Sequence, residues 1–154
     1  MELELHGNKL KVFECGKVLV YKNRKVNPEY YEKKFYMRNG YKYLHLWHEN
    51  KSKDYTLHRI IGVAYLGLDI DNPKKVIDHI NRDKLDNQLS NLRIVSNQEN
   101  QFNRNAKGYT KRGNKYLTQI YINGKKIYMG TYETEAEAHN AYLIAKQIHH
   151  LLPQ

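Results

Sequence analysis

The 154-residue chain is predicted to adopt an α+β fold, with an N-terminal β-rich segment, a strand–strand–helix core and a C-terminal three-stranded sheet packed on one helix. Short Tyr- and Val-rich runs separated by turn residues favour strands in the first third. Apolar residues take up helical spacing only from Leu57, and two Ser/Thr-x-x-Glu capping boxes mark later helix starts. These changes predict three parts of the chain, 1–55, 56–105 and 106–154.

The first part is predicted to be mostly sheet. Residues 17–21 and 41–47 combine aliphatic and aromatic side chains in the way typical of strands. Asn39-Gly40 is a hairpin signal. We expect Trp47, the single tryptophan, to pack within this sheet, with stacking on a nucleic-acid base as the lesser alternative.

The middle part is predicted to contain two helices and two strands. Residues 57–66 have the spacing of a buried helix, and Gly67 follows as a stop. Two apolar runs, 76–77 and 92–95, favour strands on either side of a polar loop. Ser96-x-x-Glu99 is a capping box, which predicts a helix from Ser96 toward Asn105.

The last part is predicted to be a hairpin-containing sheet backed by a helix. Residues 115–120 and 125–129 flank Asn123-Gly124, the strongest short hairpin signal in the chain. Thr134-x-x-Glu137 is the second capping box. The apolar face expected behind it consists of Ala138, Ala141, Tyr142, Ala145 and Ile148.

The charge of the chain predicts a nucleic-acid partner. There are 26 Lys and Arg residues against 16 Asp and Glu residues, a formal charge of +10, which repels itself unless a polyanion is bound. Cys15 is the single cysteine, so an internal disulfide and a four-thiolate zinc site are both excluded. The sequence has no apolar run of membrane-spanning length and no apolar signal core, so we expect a soluble, cytoplasmic protein without a membrane partner.

Four polar residues of the middle part could carry chemistry. Asp78 and His79 are adjacent, Asn91 follows twelve residues after the histidine, and Asn100 nine further on. Asp and Asn oxygens together with a phosphate oxygen suffice to hold magnesium. A neutral imidazole beside such an ion can take a proton from water. Asn91 could also tie together the two ends of the loop that follows His79.

These residues belong to four motifs that resemble the core of HNH nucleases of the phage and homing-endonuclease type: Leu-His-Arg-Ile at 57–60, Val-Ile-Asp-His-Ile-Asn at 76–81, Asp-Asn-Gln-Leu-Ser-Asn-Leu-Arg at 86–93 and Ser-Asn-Gln-Glu-Asn at 96–100. The resemblance implies a ββα-metal fold with one divalent ion. It implies that His79 is the general base, that Asp78 and Asn100 are metal ligands, and that Asn91 holds the loop and orients the base. Many relatives carry His where this chain has Asn100, and an oxygen ligand favours magnesium or manganese over zinc.

The implied activity is metal-assisted hydrolysis of phosphodiester bonds in DNA. One such site cuts one strand, so a monomer would nick and a homodimer could make a double-strand break; the residues leave both open. The lone Cys15 separates the chain from relatives with paired zinc-binding cysteines, so no structural zinc is expected. Two alternatives remain: a catalytically silent DNA-binding or regulatory protein on an HNH scaffold, and a nuclease acting on RNA.

The last third carries a second resemblance. Four stretches resemble the plant ethylene-response-factor type DNA-binding domain: Gly-Tyr-Thr at 108–110, Asn-Lys-Tyr-Leu-Thr-Gln-Ile at 114–120, Gly-Thr-Tyr-Glu-Thr-Glu at 130–135 with Glu137 and Ala138, and Ala-Tyr at 141–142. The resemblance covers about 107–150 and implies a three-stranded sheet that enters the major groove of double-stranded DNA. The Arg and Trp residues usual on that sheet are replaced by Lys, Tyr and Gln, so no base preference is transferred.

The charge pattern independently favours DNA binding by this part. No acidic residue lies between Glu99 and Glu133, and basic residues there alternate with aromatic ones, as phosphate tracking requires. His58 and Arg59 lie at a helix start, and two arrangements are about equally expected there. Either both side chains contact a phosphate, or His58 packs in the interior and Arg59 is solvated. The predicted DNA-binding residues are His58, Arg59, Arg104, Lys107, Lys111, Arg112, Lys115, Tyr116, Gln119, Tyr121, Lys125 and Lys126.

Overall fold

The computed structural model describes residues 1–22, 29–122 and 124–149, and it is α+β, as the sequence predicts. The chain divides into two compact units, Met1–Ser96 and Asn97–Gln154. Neither predicted boundary, at 55 or at 105, coincides with this division. No helix among the described residues is long and apolar enough to cross a membrane.

Two small antiparallel sheets begin the first unit. The first sheet has the order β1 (Glu2–Leu5), β2 (Asn8–Val12), β3 (Val18–Lys22) and β4 (Glu29–Glu32). The second has the order β5 (Tyr36–Arg38), β6 (Tyr41–His48) and β7 (Lys51–Thr56). The predicted hairpin signal between β5 and β6 is confirmed, because Asn39 and Gly40 both have positive φ, as a tight hairpin requires.

Helix α1 (Leu57–Tyr65) packs against the strand that carries the candidate site. Leu57, Ile60 and Ile61 are buried in one core with residues of both N-terminal sheets and of the middle part, which is why no boundary falls at residue 55. A Cβ at Gly62 would lie 2.5 Å from a side-chain carbon of Ile77, so any other residue at this position would force Ile77 to shift. The helix ends where predicted, with the Leu68 amide donating to the Gly62 carbonyl after Gly67.

Two antiparallel strands and the loop between them complete the first unit. Strand β8 (Lys75–His79) pairs with β9 (Leu92–Ser96), and in their register Asp78 lies opposite Arg93 and His79 opposite Leu92. A single 3₁₀ turn, Leu89–Asn91, leads into β9. Ile77, Leu92 and Val95 are buried, which fixes the end of β8 against the core.

The second unit begins with α2 (Asn97–Phe102), which is shorter than predicted, and continues as a sheet with one long helix. The sheet has the order β10 (Tyr109–Arg112), β11 (Lys115–Ile122) and β12 (Lys125–Tyr132), followed by α3 (Glu135–His149). Asn123 of the predicted turn lies outside the described residues. The sheet-plus-helix prediction for this part is confirmed.

Helix α3 covers one face of that sheet. Ala138, Tyr142 and Ala145 are buried, whereas Ile148 of the predicted apolar face is 65% exposed. The buried Thr118 hydroxyl donates to the Ala138 carbonyl at 3.0 Å. The predicted capping box is present, since the Thr134 amide donates to the Glu137 carboxylate and the Glu137 amide to the Thr134 hydroxyl.

Candidate active site and nucleic-acid interface

The end of β8 places a carboxylate and an imidazole side by side in the protein interior. Asp78 is 5% exposed and His79 is 6% exposed. Such residues are rarely buried unless they are paired or hydrogen-bonded. The partners of these two side chains therefore define what the site can do.

The carboxylate of Asp78 is held by Arg93, its cross-strand neighbour. Arg93 donates from Nε at 3.0 Å and from Nη2 at 2.9 Å, both to Oδ2 of Asp78. Two charge-assisted hydrogen bonds to one oxygen fix the orientation of the carboxyl group. Sequence reasoning missed Arg93, although its position opposite Asp78 follows once the strand register is known.

The imidazole of His79 has a hydrogen-bond partner on the loop that follows β8. Its Nε2 lies 3.3 Å from Oδ1 of Asn87, which is itself buried. The amide nitrogen of Asn87 donates to the carbonyl of Leu85 at 2.9 Å and, at 3.4 Å, to that of Lys84. Asn87 was predicted only as a loop residue, so its contact with His79 is a feature that sequence reasoning missed.

Asn91 closes this loop, as its position suggested. Its Oδ1 accepts from the Asn81 amide at 2.9 Å, and its Nδ2 donates to the Asn81 side chain at 2.9 Å and to the Asp86 carbonyl at 2.8 Å. Its own carbonyl accepts from the Ile80 amide at 2.9 Å. The first and last residues of the loop are therefore joined by both backbone and side-chain bonds. Its role in catalysis stays a prediction.

His58 lies beside His79, not at the surface. The two imidazole centroids are 5.0 Å apart, and the ring of Tyr41 is 5.1 Å from His58 and 6.2 Å from His79. Burial, with smaller contributions from the neighbouring His79 and Arg59, lowers the pKa of His58 to about 3, so this side chain is neutral. The ring is 8% exposed, as expected of the packed alternative, and a phosphate contact by His58 stays a prediction.

The neighbouring Arg59 is anchored within the first unit. Its Nη2 donates to the Ile70 carbonyl at 2.6 Å, and its side chain is only partly exposed. This bond ties α1 to the loop before β8. A phosphate contact by Arg59 stays a prediction.

The carboxylate oxygens of Asp78 are of the kind that a hard divalent ion prefers. Asn100 lies on α2 of the second unit, and its role as a second oxygen ligand stays a prediction. Among the residues that the structure describes, no group of three or more His, Cys, Asp or Glu side chains could form an all-protein metal site. Magnesium is commonly held by one or two protein carboxylates with water and substrate phosphate, and the Asp78 carboxylate suits that mode.

A row of aromatic side chains, half-buried at Tyr41 and Tyr43 and exposed at Trp47, runs along one face of β6. Tyr43 stacks on Tyr36 with centroids 5.5 Å apart, and the guanidinium of Arg38 lies 4.3 Å from the Tyr43 ring. Trp47 is 59% exposed, so the prediction that it packs within the sheet is wrong. Leu44 and Leu46 point the opposite way into the core, which leaves the alternate residues of β6 outside.

In the second unit, the sheet face opposite α3 gathers five of the predicted DNA-binding residues. Thr118 and Ile120 are buried, so their neighbours along β11 point away from the core. Directly opposed residues share a face, and Arg112 is paired with Lys115 and Tyr121 with Lys126. We call this set the open face: Arg112, Lys115, Gln119, Tyr121 and Lys126.

Three other predicted DNA-binding residues lie on the side of the sheet that α3 covers. Lys111 is opposite Tyr116, with its Nζ 5.8 Å from the centre of that ring. The Tyr116 ring in turn contacts Tyr109, whose hydroxyl donates to Glu135 of α3. Lys125 is opposite Ile122 and so shares this side. Lys111, Tyr116 and Lys125 are therefore separated from the open face by the sheet.

The remaining two basic residues precede β10 in an exposed segment. The Arg104 carbonyl accepts from Lys146 at 3.1 Å, and the Lys107 carbonyl lies 2.8 Å from Nδ1 of His139. Both partners are on α3, so this helix fixes the backbone of the segment and leaves the side chains of Arg104 and Lys107 exposed.

One lysine of the open face already has an acidic partner. Lys115 pairs with Glu133 at 2.6 Å, and this bond raises the pKa of the lysine.

Comparisons with known proteins find similarity to HNH endonucleases in part of the chain. Residues 55–102 match the family model described as HNH endonuclease. An uncharacterised HNH endonuclease of Acanthamoeba polyphaga mimivirus is 33% identical over 96 residues, which are 61% of this chain and 28% of that protein. A solved structure on DNA binding and cleavage by the HNH homing endonuclease I-HmuI has a TM-score of 0.44 at 19% identity, covering 94% of this chain and 87% of that one.

Proposed function

We propose that this chain, with its HNH endonuclease domain at residues 55–102, is a divalent-metal-dependent DNA endonuclease of the homing type. The observation that carries the proposal is the buried Asp78–His79 pair at the end of β8, next to a loop closed by Asn91. A buried carboxylate and imidazole with defined partners are the groups that metal-assisted hydrolysis needs.

The side chains divide the work of hydrolysis. His79 accepts the proton of the attacking water as general base, and Asn91 holds the loop that keeps the site in shape. Asp78 and Asn100 would hold the ion, with magnesium the first candidate and manganese the second. The ion, when bound, supplies electrostatic stabilisation of the charge that develops on the phosphate and on the departing oxygen. Arg93 keeps the Asp78 carboxyl group in one orientation.

The open face of the second unit is proposed to bind the double-stranded DNA substrate. Its strands form a three-stranded antiparallel sheet with cations on the side that α3 leaves uncovered. A β-sheet can enter the major groove, where Lys and Arg reach phosphates and Gln and Tyr reach base edges. Arg104 and Lys107 extend the basic surface along the chain.

A catalytically silent DNA-binding or regulatory protein is the second candidate. The ion pair between Arg93 and Asp78 favours it, because a guanidinium already neutralises the carboxylate that the ion would need. In such a protein, the domain would retain its fold and its DNA-binding surface without turnover.

Plasmid nicking separates the two candidates. Supercoiled plasmid is incubated with the protein and magnesium, manganese or a chelator, and the wild-type chain is compared with His79→Ala. We expect wild type to nick only with metal, and His79→Ala to lose about 100-fold or more in rate while it still binds DNA. His48→Ala, which changes an exposed histidine of the same unit, is the control and should nick at the wild-type rate.

The outcome that contradicts the enzyme proposal is equally defined. If wild type and His79→Ala bind DNA equally and neither nicks with any ion, the chain is the silent binding protein. Competition between duplex DNA and structured RNA at fixed salt tests the nucleic-acid class, and preferential displacement by RNA would contradict a DNA substrate.

A further inference from the structure

The hydrogen bond between His79 and Asn87 has a defined direction. The amide nitrogen of Asn87 points at the carbonyls of Leu85 and Lys84, which can only accept hydrogen bonds. The other end of the amide, Oδ1, therefore faces Nε2 of His79 at 3.3 Å. A carboxamide oxygen can only accept, so Nε2 must donate and must carry the hydrogen.

We infer that Asn87 is a positioning residue that holds His79 in the tautomer protonated at Nε2 and so assigns the role of proton acceptor to Nδ1. The inference rests on the proposed nuclease function for the meaning of that role, but not for the tautomer itself. In a neutral imidazole one nitrogen carries the hydrogen and the other a lone pair, so fixing the first fixes the second.

The surroundings of the imidazole agree with a fixed ring. His79 and Asn87 are both buried, which makes an unpaired Nε2 hydrogen costly and its bond to Asn87 correspondingly important. The rings of His58 and Tyr41 lie against His79 at 5.0 and 6.2 Å and restrict its rotation.

The proton balance of the step follows from this tautomer. Nδ1 takes one proton from the attacking water, the water oxygen forms a bond to phosphorus, and the bond from phosphorus to the departing 3′ oxygen breaks. The departing oxygen takes its proton from solvent. The Nε2 hydrogen stays on the ring throughout, and its bond to Asn87 strengthens as the imidazole becomes positively charged.

Imidazole nitrogen NMR on the full chain tests the tautomer directly. Long-range proton–nitrogen correlation spectra are recorded at about pH 8, above the ordinary histidine pKa, with His79 assigned by the signal that His79→Ala lacks. We expect wild type to show the hydrogen on Nε2. A wild-type hydrogen on Nδ1 would overturn the inference, whether or not the protein cleaves DNA.

Two substitutions at Asn87 link the tautomer to turnover. Asn87→Leu keeps the branched shape of the side chain but removes the acceptor, whereas Asn87→Asp keeps an acceptor oxygen. In Asn87→Leu we expect His79 to lose its single tautomer, and the saturated nicking rate to fall about 10-fold or more with little change in DNA binding. In Asn87→Asp we expect His79 to retain the tautomer and the protein to retain more of the nicking rate. Gln88→Ala, an exposed neighbour, is the matched control.

The wild-type protein and the Asn87 variants give results that test the positioning role and the nuclease function separately. A wild-type tautomer and rate in Asn87→Leu would overturn the positioning role. If the wild-type protein does not cleave DNA, the nuclease proposal is wrong, but the NMR spectra still show which nitrogen of His79 carries the hydrogen. If Asn87→Leu does not fold, the wild-type and Asn87→Asp spectra carry the test.

Discussion

His58 shows, at the scale of a single residue, how burial sets the chemistry of a side chain. It is the second residue of α1, and from the sequence both a phosphate contact and a packed ring were open. The choice is made by Tyr41 and His79, which come from β6 and β8 and enclose the ring. Because both neighbours are distant along the chain, no local pattern could have predicted the outcome.

The lowered pKa of His58 predicts a loss of stability in acid. The unfolded chain binds a proton there near pH 6.5, but the folded chain does so only at about pH 3. The unfolded state therefore holds more protons between these values, and the free energy of unfolding should fall as the pH drops. The contribution is about 2 kcal/mol from about pH 8 to about pH 5.

Chemical denaturation at several pH values measures this effect. In His58→Gln the contribution should vanish, so the variant should lose less stability than wild type over the same range, whatever its stability at neutral pH. His48→Gln, at an exposed position, should retain the wild-type pH dependence. Parallel pH dependences in wild type and His58→Gln would contradict the prediction.

The candidate catalytic residues and their partners differ in how far sequence can predict them. Asp78, His79 and Asn91 stand at recognisable positions of a motif. Arg93 and Asn87 were not predicted as partners, because one depends on the register of β8 with β9 and the other on the path of a polar loop. Register and loop path are both set by burial of residues elsewhere, such as Ile77 and Leu92.

The loop between β8 and β9 is the element that shapes the site. The sequence predicted that Asn91 would join its ends, and the three side-chain bonds to Asn81 and Asp86 agree with this. Asn91 is 8% exposed, so removing its side chain leaves partly buried groups without partners. Such a loss costs about 1–3 kcal/mol.

Asn91→Ala should therefore open the loop locally. The Asn81 amide loses its acceptor, so its hydrogen exchange should quicken about 10-fold or more, and nicking should slow with it. Asn91→Asp keeps the acceptor for that amide but loses the donors, so the Asn81 amide should stay better protected than in the alanine variant. Ser90→Ala, an exposed neighbour, is the control, and an unchanged Asn81 exchange rate in Asn91→Ala would show that the bond does not hold the loop.

Helix and strand ends that depend on local signals were predicted well. The side of a sheet on which a given residue lies was not. The capping box at Thr134, the hairpin signal at Asn39 and the stop at Gly67 all act within a few residues, so the sequence contains the whole cause. The side of the sheet on which Lys111 lies depends instead on how β10 pairs with β11 and where α3 packs. A run of basic residues in the sequence was thus split between the two sides of one sheet.

At the scale of the whole molecule, the two units carry different parts of the proposed function. Met1–Ser96 contains Asp78, His79 and the residues around them, and Asn97–Gln154 contains the open face and Asn100. The division between the two units does not fall at residue 55, because the core of the first unit joins the N-terminal sheets to α1, β8 and β9. Composition changes along a chain, such as the one at Leu57, mark changes of element and need not mark separate cores.

The charge of +10 is expected to act through the open face, and salt dependence can test this. Each phosphate contact contributes about 0.9 to the slope of log binding constant against log salt. Replacing Arg112 and Lys126 together by Ala should lower the slope by about 2 and weaken binding across DNA sequences. Replacing Lys11 and Lys17, two lysines of the first unit that pair with Glu2 and Glu32, removes the same charge and should leave the slope unchanged. If both double variants lower the slope equally, the effect is one of net charge, and the open face does not contact the DNA backbone.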